Sequence, residues 1–434
     1  MSSSSSSSSS SGGVWRQYPL VPAPRMRVGS TKNIPKSGCR PGLLIVVGLG
    51  VFLTVATLLL TRVSNGSPSF IVHRHQQERA GQQEQEGQQE SHPDESPSMA
   101  ALIETLFKLG RRNSSALLHL LETTDPFSVS TAPADFACPV SSQRIDWVSL
   151  VNDTNAARFR RQEPGAFIFY QHLRKAGGTS FCELCRANLP RHQVPPYYCM
   201  PDQKGSLSTP PWSDAKVLTE AMDSKGFKVA ANEWDVWLDV HRDIPGAVLA
   251  TTFRHPIDRW YSQYRFEHLE HRDNSKEGDP RLSFKEWYRR MQGWTMDRNY
   301  YCTTFWGLPD TSVPRNANSD FYWTYHKFSR MPLDWAFFSR SLLNIRSFHL
   351  LLVTEYLDFS GPMIQKTLGW ASPPKQVLPH EVQAPRQQKK NVPARSLMPI
   401  DDYREIAAEN VVDILLFDVV RRIWLERFTC AEGS

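Results

Sequence analysis

Three short apolar runs constrain this chain more than any other feature: "AFIFY" (166–170), "GAVLATTF" (246–253) and "FHLLLVTE" (348–355). Each is too short for a buried helix and shows no alternation of polar and apolar residues, so each predicts a strand buried on both faces. Strands of that kind belong to parallel sheets, whose crossover helices cover both sides. Amphipathic runs beginning at Thr179, Ile257 and Tyr403 supply the helices. The alternation predicts an α/β fold with a parallel sheet flanked by helices.

That domain is expected to fill residues 135–434, where the sequence becomes aromatic-rich and continuous. What precedes it reads as a different material. Residues 1–41 form a low-complexity tail with a run of serines from Ser2 to Ser11, six basic residues and no acid. Those six account for the whole formal charge of +6, so the rest of the chain is balanced and bulk charge points to no nucleic-acid partner. Residues 42–61, "GLLIVVGLGVFLTVATLLLT", carry no charge and no polar face. As a helix they would span a hydrocarbon core of about 30 Å. A cleaved signal peptide would have a shorter apolar stretch and would not sit behind such a tail. The basic flank belongs in the cytosol, which predicts a single-pass type II anchor with the C-terminal bulk in the lumen. The sequons at Asn65, Asn113 and Asn152 agree with lumenal exposure.

Residues 62–134 read as a stem. Its first part, including "QQERAGQQEQEGQQE" (76–90), buries too little apolar area to offset its conformational entropy and is expected to be disordered. Leu102, Leu106, Leu109, Leu117, Leu118 and Leu121 then recur near helical spacing, for packing or for stem association between two copies as a homodimer.

Two loops carry the chemistry. After the first strand comes "RKAGGTSF" (174–181). A strand, tight loop and helix would set the amides of Ala176, Gly177, Gly178, Thr179 and Ser180 at the positive end of a helix dipole. Two glycines allow close approach of an anion, the hydroxyls of Thr179 and Ser180 add donors, and Lys175 adds a charge. In a nucleotide triphosphatase loop the lysine follows the glycines, whereas here it precedes them, so a kinase is disfavoured. After the second strand comes "RHPIDRWYS" (254–262). Arg254 would stand at a strand's carboxyl end, where open α/β sheets bind ligands. Arg259 and Ser262, three apart, would share a helical face as a second phosphate clamp, with an ion pair in the core as the other reading of Arg259.

With these two motifs the chain resembles Golgi membrane-anchored carbohydrate sulfotransferases, the broad group that includes heparan sulfate and chondroitin sulfotransferases. Lys175 through Ser180 is similar to that family's K-x-G-G-T-S loop for a 5′-phosphosulfate, and Arg254 with Ser262 to its R-x-P-x-x-R-x-x-S element for a 3′-phosphate. "RNYYCTTFWG" (298–307), "LLLVTEYLDFSGPMIQKTLGW" (350–370) and "ENVVDILLFDVVRRIWLERF" (409–428) echo later family segments, so the likeness covers about 165 to 428. It implies a P-loop-like sulfotransferase fold and the donor 3′-phosphoadenosine 5′-phosphosulfate (PAPS), with no metal required. The acceptor would be a glycan hydroxyl. Lys175 would stabilise charge on the bridging oxygen.

The family's general base, a histidine or glutamate, lies between the two loops. "VAANEWDVWLDVHRD" (229–243) occupies that place and offers Glu233, favoured here, and His241. A glutamate where the family often has glycine-histidine departs from its pattern. Cys138, Cys182, Cys185, Cys199, Cys302 and Cys430 follow the apolar run, an even number that suggests disulfides in an oxidising lumen. Cys182, Cys185 and Cys199 are expected to be oxidised, with one bridge tying the helix after the loop to the segment around Cys199. Zinc held by Cys182, Cys185, His192 and Cys199 is the rival. "DFYWTYHKF" (320–328) is expected in the core, with sugar stacking as its alternative. The other functions open to this sequence are sulfation of protein tyrosine and a glycan-binding pseudoenzyme of the same fold.

Overall fold

The computed structural model describes residues 98–140, 143–145, 153–201, 214–233, 236–270, 282–291, 298–307, 333–371 and 393–430. The basic tail, the apolar run 42–61, the glutamine-rich stem and the aromatic run 320–328 all lie outside them. No helix among the described residues is long and apolar enough to cross a membrane.

In chain order the elements are α1 (Met99–Arg112), α2 (Ser114–Thr124), α3 (Asp153–Arg160), β1 (Phe167–Gln171), α4 (Gly178–Asn188), α5 (Ala215–Lys225), β2 (Val229–Asn232) and β3 (Ala247–Phe253). There follow α6 (Pro256–Tyr264), a π-helical turn (Arg265–Glu270), α7 (Phe284–Met291), α8 (Tyr300–Phe305), α9 (Trp335–Arg346) and β4 (Leu350–Val353). The last are α10 (Gly361–Leu368), α11 (Ile400–Glu409) and α12 (Val411–Thr429).

The three apolar runs become β1, β3 and β4, and the four strands form one parallel sheet in the order β2-β1-β3-β4. Every residue of every strand is buried. Side chains alternate between two cores. Phe167, Phe169, Leu249, Phe253, Leu351 and Val353 face the larger one, which α8, α9 and α12 complete. Ile168, Tyr170, Val248, Ala250, Leu350 and Leu352 face the smaller one, closed by α3, α4 and α10. This is the α/β architecture that the uninterrupted apolar runs require. The helices start where their sequence directs: Asp214 and Asp334 accept the first-turn amides of Val217 and Phe337, and Pro256 opens α6.

The order of strands matters for function. The chain leaves β1 towards β2 on one side and leaves β3 towards β4 on the other. Connections that diverge in this way open a crevice at the carboxyl ends of β1 and β3, the usual ligand site of such sheets. Gln171 is in register with both Asn232 and Thr251, so the loops after β1, β2 and β3 emerge at one level.

The folded body begins earlier than residue 135. Ile103, Leu106 and Phe107 of α1 and Leu117, Leu118 and Leu121 of α2 are buried in the larger core. Phe107 packs on Phe338 at 5.0 Å between ring centroids, the two rings tilted, and Arg422 of α12 donates to the Phe127 carbonyl at 3.0 Å. The leucine periodicity therefore serves packing inside the domain, which includes α1 and α2. A disulfide joins Cys138 to Cys430, so the segment before β1 is tied to the end of α12.

Candidate functional site

The loop after β1 is built by hydrogen bonds that leave little freedom. His172 donates its amide to the Asn232 carbonyl at 3.0 Å, and Ala176 donates to the Leu173 carbonyl at 3.0 Å. The turn puts Lys175 at φ 63° and Gly177 at φ 93°. Gly177 needs to be glycine for that backbone; Lys175 is a side-chain-bearing residue held in the left-handed region, a conformation found most often at working sites. Gly177 caps α4 without any side-chain hydrogen bond, and Gly178, Thr179 and Ser180 form its first turn. The amides of that turn have no carbonyl of the helix behind them and point at whatever lies beyond its end.

Gly178 is glycine for a separate reason. A Cβ there would stand 1.7 Å from Nε2 of His172. His172 is buried, and its Nδ1 has no hydrogen-bond partner among the described residues. The atom facing it is Oε2 of Glu233, 3.8 Å away, on the first residue beyond β2. Burial pushes the imidazole below its ordinary pKa; Glu233 opposes this, and Arg174 and Lys175 reinforce it. One small cluster thus joins the glycine loop to the favoured base.

The second loop is held differently. Tyr301 of α8 donates its hydroxyl to the Arg254 carbonyl at 2.5 Å, and Thr354, just past β4, donates to the Phe253 carbonyl at 2.6 Å. The Glu355 carboxylate accepts the amide of His255 at 2.8 Å. Burial drives that histidine down to about 4, with Asp258 opposing and Arg421 and Arg254 adding to the effect. Arg254 and Ser262 are half-buried at the rim, on the loop and on α6.

The two loops are connected directly. Arg174 forms an ion pair with Glu267 at 2.7 Å, and the Lys175 ammonium stands 3.8 Å over the ring of Phe266. Glu267 and Phe266 lie on the π-helical turn that continues α6. Burial raises the Glu267 carboxyl, while Arg174 and Gln263 counter it. Arg174 also donates its amide to the Tyr300 hydroxyl at 3.3 Å. A displacement of either loop is therefore felt by the other.

Three expectations change at this point. Arg259 is buried, its guanidinium 4.2 Å from the Tyr300 ring centroid and 4.9 Å from that of Trp260. It packs between aromatic rings, so of the residues expected in the second clamp only Arg254 and Ser262 are half-buried. His241 is fully buried in the larger core, its ring 4.7 Å from Phe169, and its Nδ1 accepts the Leu238 amide at 3.1 Å. It belongs to the packing of the sheet's underside, whereas Glu233 stands at the crevice. Cys182 and Cys199 are bridged, which ties α4 to the segment before β2 as expected and removes both from any zinc site. Cys185, expected to be oxidised, is a buried free thiol, and burial pushes its pKa up. No group of three or more His, Cys, Asp or Glu side chains that could hold a metal occurs among the described residues.

Sequence reasoning passed over His172, the Arg174–Glu267 pair and the Tyr300–Tyr301 dipeptide. Of these, Arg174 and the tyrosines lay in stretches already singled out, "RKAGGTSF" and "RNYYCTTFWG". No family model matches the chain, and neither a curated protein nor a solved structure does.

Proposed function

We propose that this chain transfers a sulfuryl group from PAPS to a hydroxyl of a glycan, in the Golgi lumen, from a single-pass type II anchor formed by residues 42–61. The observation that carries the reading is that two loops whose residues suit anions, the glycine loop after β1 and the Arg254 loop after β3, leave the carboxyl ends of neighbouring strands, with Arg174 of the first paired to Glu267 on the turn that continues α6. A ligand for both must be anionic at two ends, which a nucleotide with 3′- and 5′-phosphates is.

The residues fit such a donor. The first turn of α4 and Lys175 would hold the 5′-phosphosulfate, with the free amides of that turn as donors. Arg254 and Ser262 would hold the 3′-phosphate. The donor supplies an activated sulfuryl group. Lys175, in the left-handed region beside the loop, would neutralise charge that develops there. Glu233, 14% exposed and beside the crevice, would accept the acceptor hydroxyl's proton.

Incubating the full chain in detergent with radiolabelled donor and a panel of glycans tests the reading. Labelled glycan is expected. Label only on tyrosine peptides would make it a protein sulfotransferase, and nucleotide binding without any transfer would make it a glycan-binding relic. Glu233→Gln should lower turnover by roughly 10²–10⁴-fold with donor affinity kept.

A further inference from the structure

His172 is a buried imidazole with a ring nitrogen that bonds to nothing among the described residues. Folded proteins leave few buried polar atoms in that condition, and each calls for an explanation. The surroundings narrow the explanation. The Nε2 side of the ring presses on Gly178 so closely that no side chain fits there. The opposite nitrogen, Nδ1, faces the Glu233 carboxylate from 3.8 Å. Tyr170 flanks the ring at 5.7 Å between centroids, and its hydroxyl is committed to Thr252. The charged groups acting on the ring are Glu233, Arg174 and Lys175.

An ionised carboxylate cannot donate to a ring nitrogen that carries no proton, so a gap between them is expected. A protonated carboxyl can. We propose that His172 is a positioning residue for Glu233: its Nδ1 lone pair accepts the O–H that Glu233 acquires on taking the acceptor's hydroxyl proton. This rests on the sulfuryl-transfer reading. The acceptor oxygen forms its bond to sulfur while its proton passes to Oε2 of Glu233. The electron pair of the broken sulfur–oxygen bond leaves on the nucleotide's phosphate, and nothing is oxidised or reduced. The hydrogen bond that then closes between Glu233 and Nδ1 holds the proton away from the new sulfate ester. Because the same ring touches Gly178, the glycine loop fixes where that bond can form.

The full chain in detergent micelles, labelled with ¹⁵N-histidine, tests the pairing without turnover. The His172 signals are assigned by their loss in His172→Asn. Replacing Glu233 by Gln should shift the Nδ1 resonance and lower the pH at which the ring titrates; an unchanged resonance and an unchanged midpoint overturn the proposal. Kinetics provide the second arm, with whichever glycan the panel labels. His172→Phe keeps a ring against Gly178 but has no acceptor, and should lower kcat by about tenfold or more with the donor KM unchanged. His172→Asn, which can set its side-chain oxygen near the place of Nδ1, should recover part of the loss. Wild-type kcat in His172→Phe overturns the proposal. If the wild type binds no 3′-phosphoadenosine 5′-phosphate, the sulfotransferase reading fails, and the resonance comparison still decides whether His172 and Glu233 are paired.

Discussion

Gly178→Ala is the sharpest test of the loop's construction. The added Cβ would lie 1.7, 2.0 and 2.4 Å from Nε2, Cδ2 and Cε1 of His172, and these are its three nearest atoms. Ordinary van der Waals contact begins at 3.4 Å. The ring would have to retreat by about half that distance, yet it is 5% exposed and its backbone amide is tied to Asn232. Overpacking of a rigid site costs typically about 1–3 kcal/mol, and a clash with a confined ring belongs at the upper end. The helix preference of alanine over glycine returns at most about 1 kcal/mol. A net loss of about 2 kcal/mol is expected, read from the urea midpoint of the full chain in detergent. Because the three nearest atoms all belong to His172, the double variant with His172→Ala should cost no more than His172→Ala alone. The expected coupling is about 2 kcal/mol, well above the roughly 0.3–0.5 kcal/mol within which independent sites add. Additive losses, or a Gly178→Ala protein as stable as wild type, would refute the reasoning.

Arg254→Ala removes a charged partner of the nucleotide and should weaken binding of 3′-phosphoadenosine 5′-phosphate by about 1.5–3 kcal/mol in calorimetry; equal affinity would put the 3′-phosphate elsewhere. Cys199→Ser opens the bridge to Cys182, whose loop spans 17 residues, and should cost about 3 kcal/mol in a denaturant titration, with non-reduced peptide maps confirming the pairing in the wild type. His255 gives a pH dependence of known sign. Its folded pKa of about 4 lies below the ordinary histidine value of about 6.5, so below pH 6.5 the unfolded chain binds a proton that the folded one refuses. Its stabilising share is present above that value and is lost as pH falls towards 4. Asp413 and Asp418, raised by burial to about 6 and about 7, act in the opposite sense, so the histidine must be isolated by difference. His255→Phe should retain more of its neutral-pH stability at pH 4.5 than wild type does, and parallel pH profiles would rule the assignment out.

The sheet was legible because buried parallel strands carry their signal locally: β1, β3 and β4 are apolar without interruption. β2 was not. Val229-Ala230-Ala231-Asn232 is short and made of small residues, and only its pairing with β1 makes it a strand. The same limit explains the stem. The leucines of α1 and α2 show a helical period, but the period does not say what the apolar face meets. The answer, α9 and α12, comes from the far end of the chain. Cysteine parity suggested bridges and could not say that Cys185, one helical turn from Cys182, would be left out.

The site divides along the same line. Glycines and a lysine at a strand end are read from sequence because the loop they make is a matter of backbone, and backbone geometry follows from residue type. Arg259 kept two readings for the opposite reason. Its spacing from Ser262 puts both on one side of a short helix, but spacing cannot tell which of the two is covered by a neighbour. Tyr300, which packs on Arg259, is supplied by α8. His172 shows the most that tertiary contact can add. In sequence it is one histidine in a basic turn. In the fold it is the reason that Gly178 must be glycine, and its Nδ1 faces Glu233 from 3.8 Å. A glycine kept for backbone conformation, as Gly177 is, and one kept to admit a neighbour's ring look alike in sequence. Only the second makes the loop and the base mechanically one object, so a substitution at either end of that contact must be felt at the other.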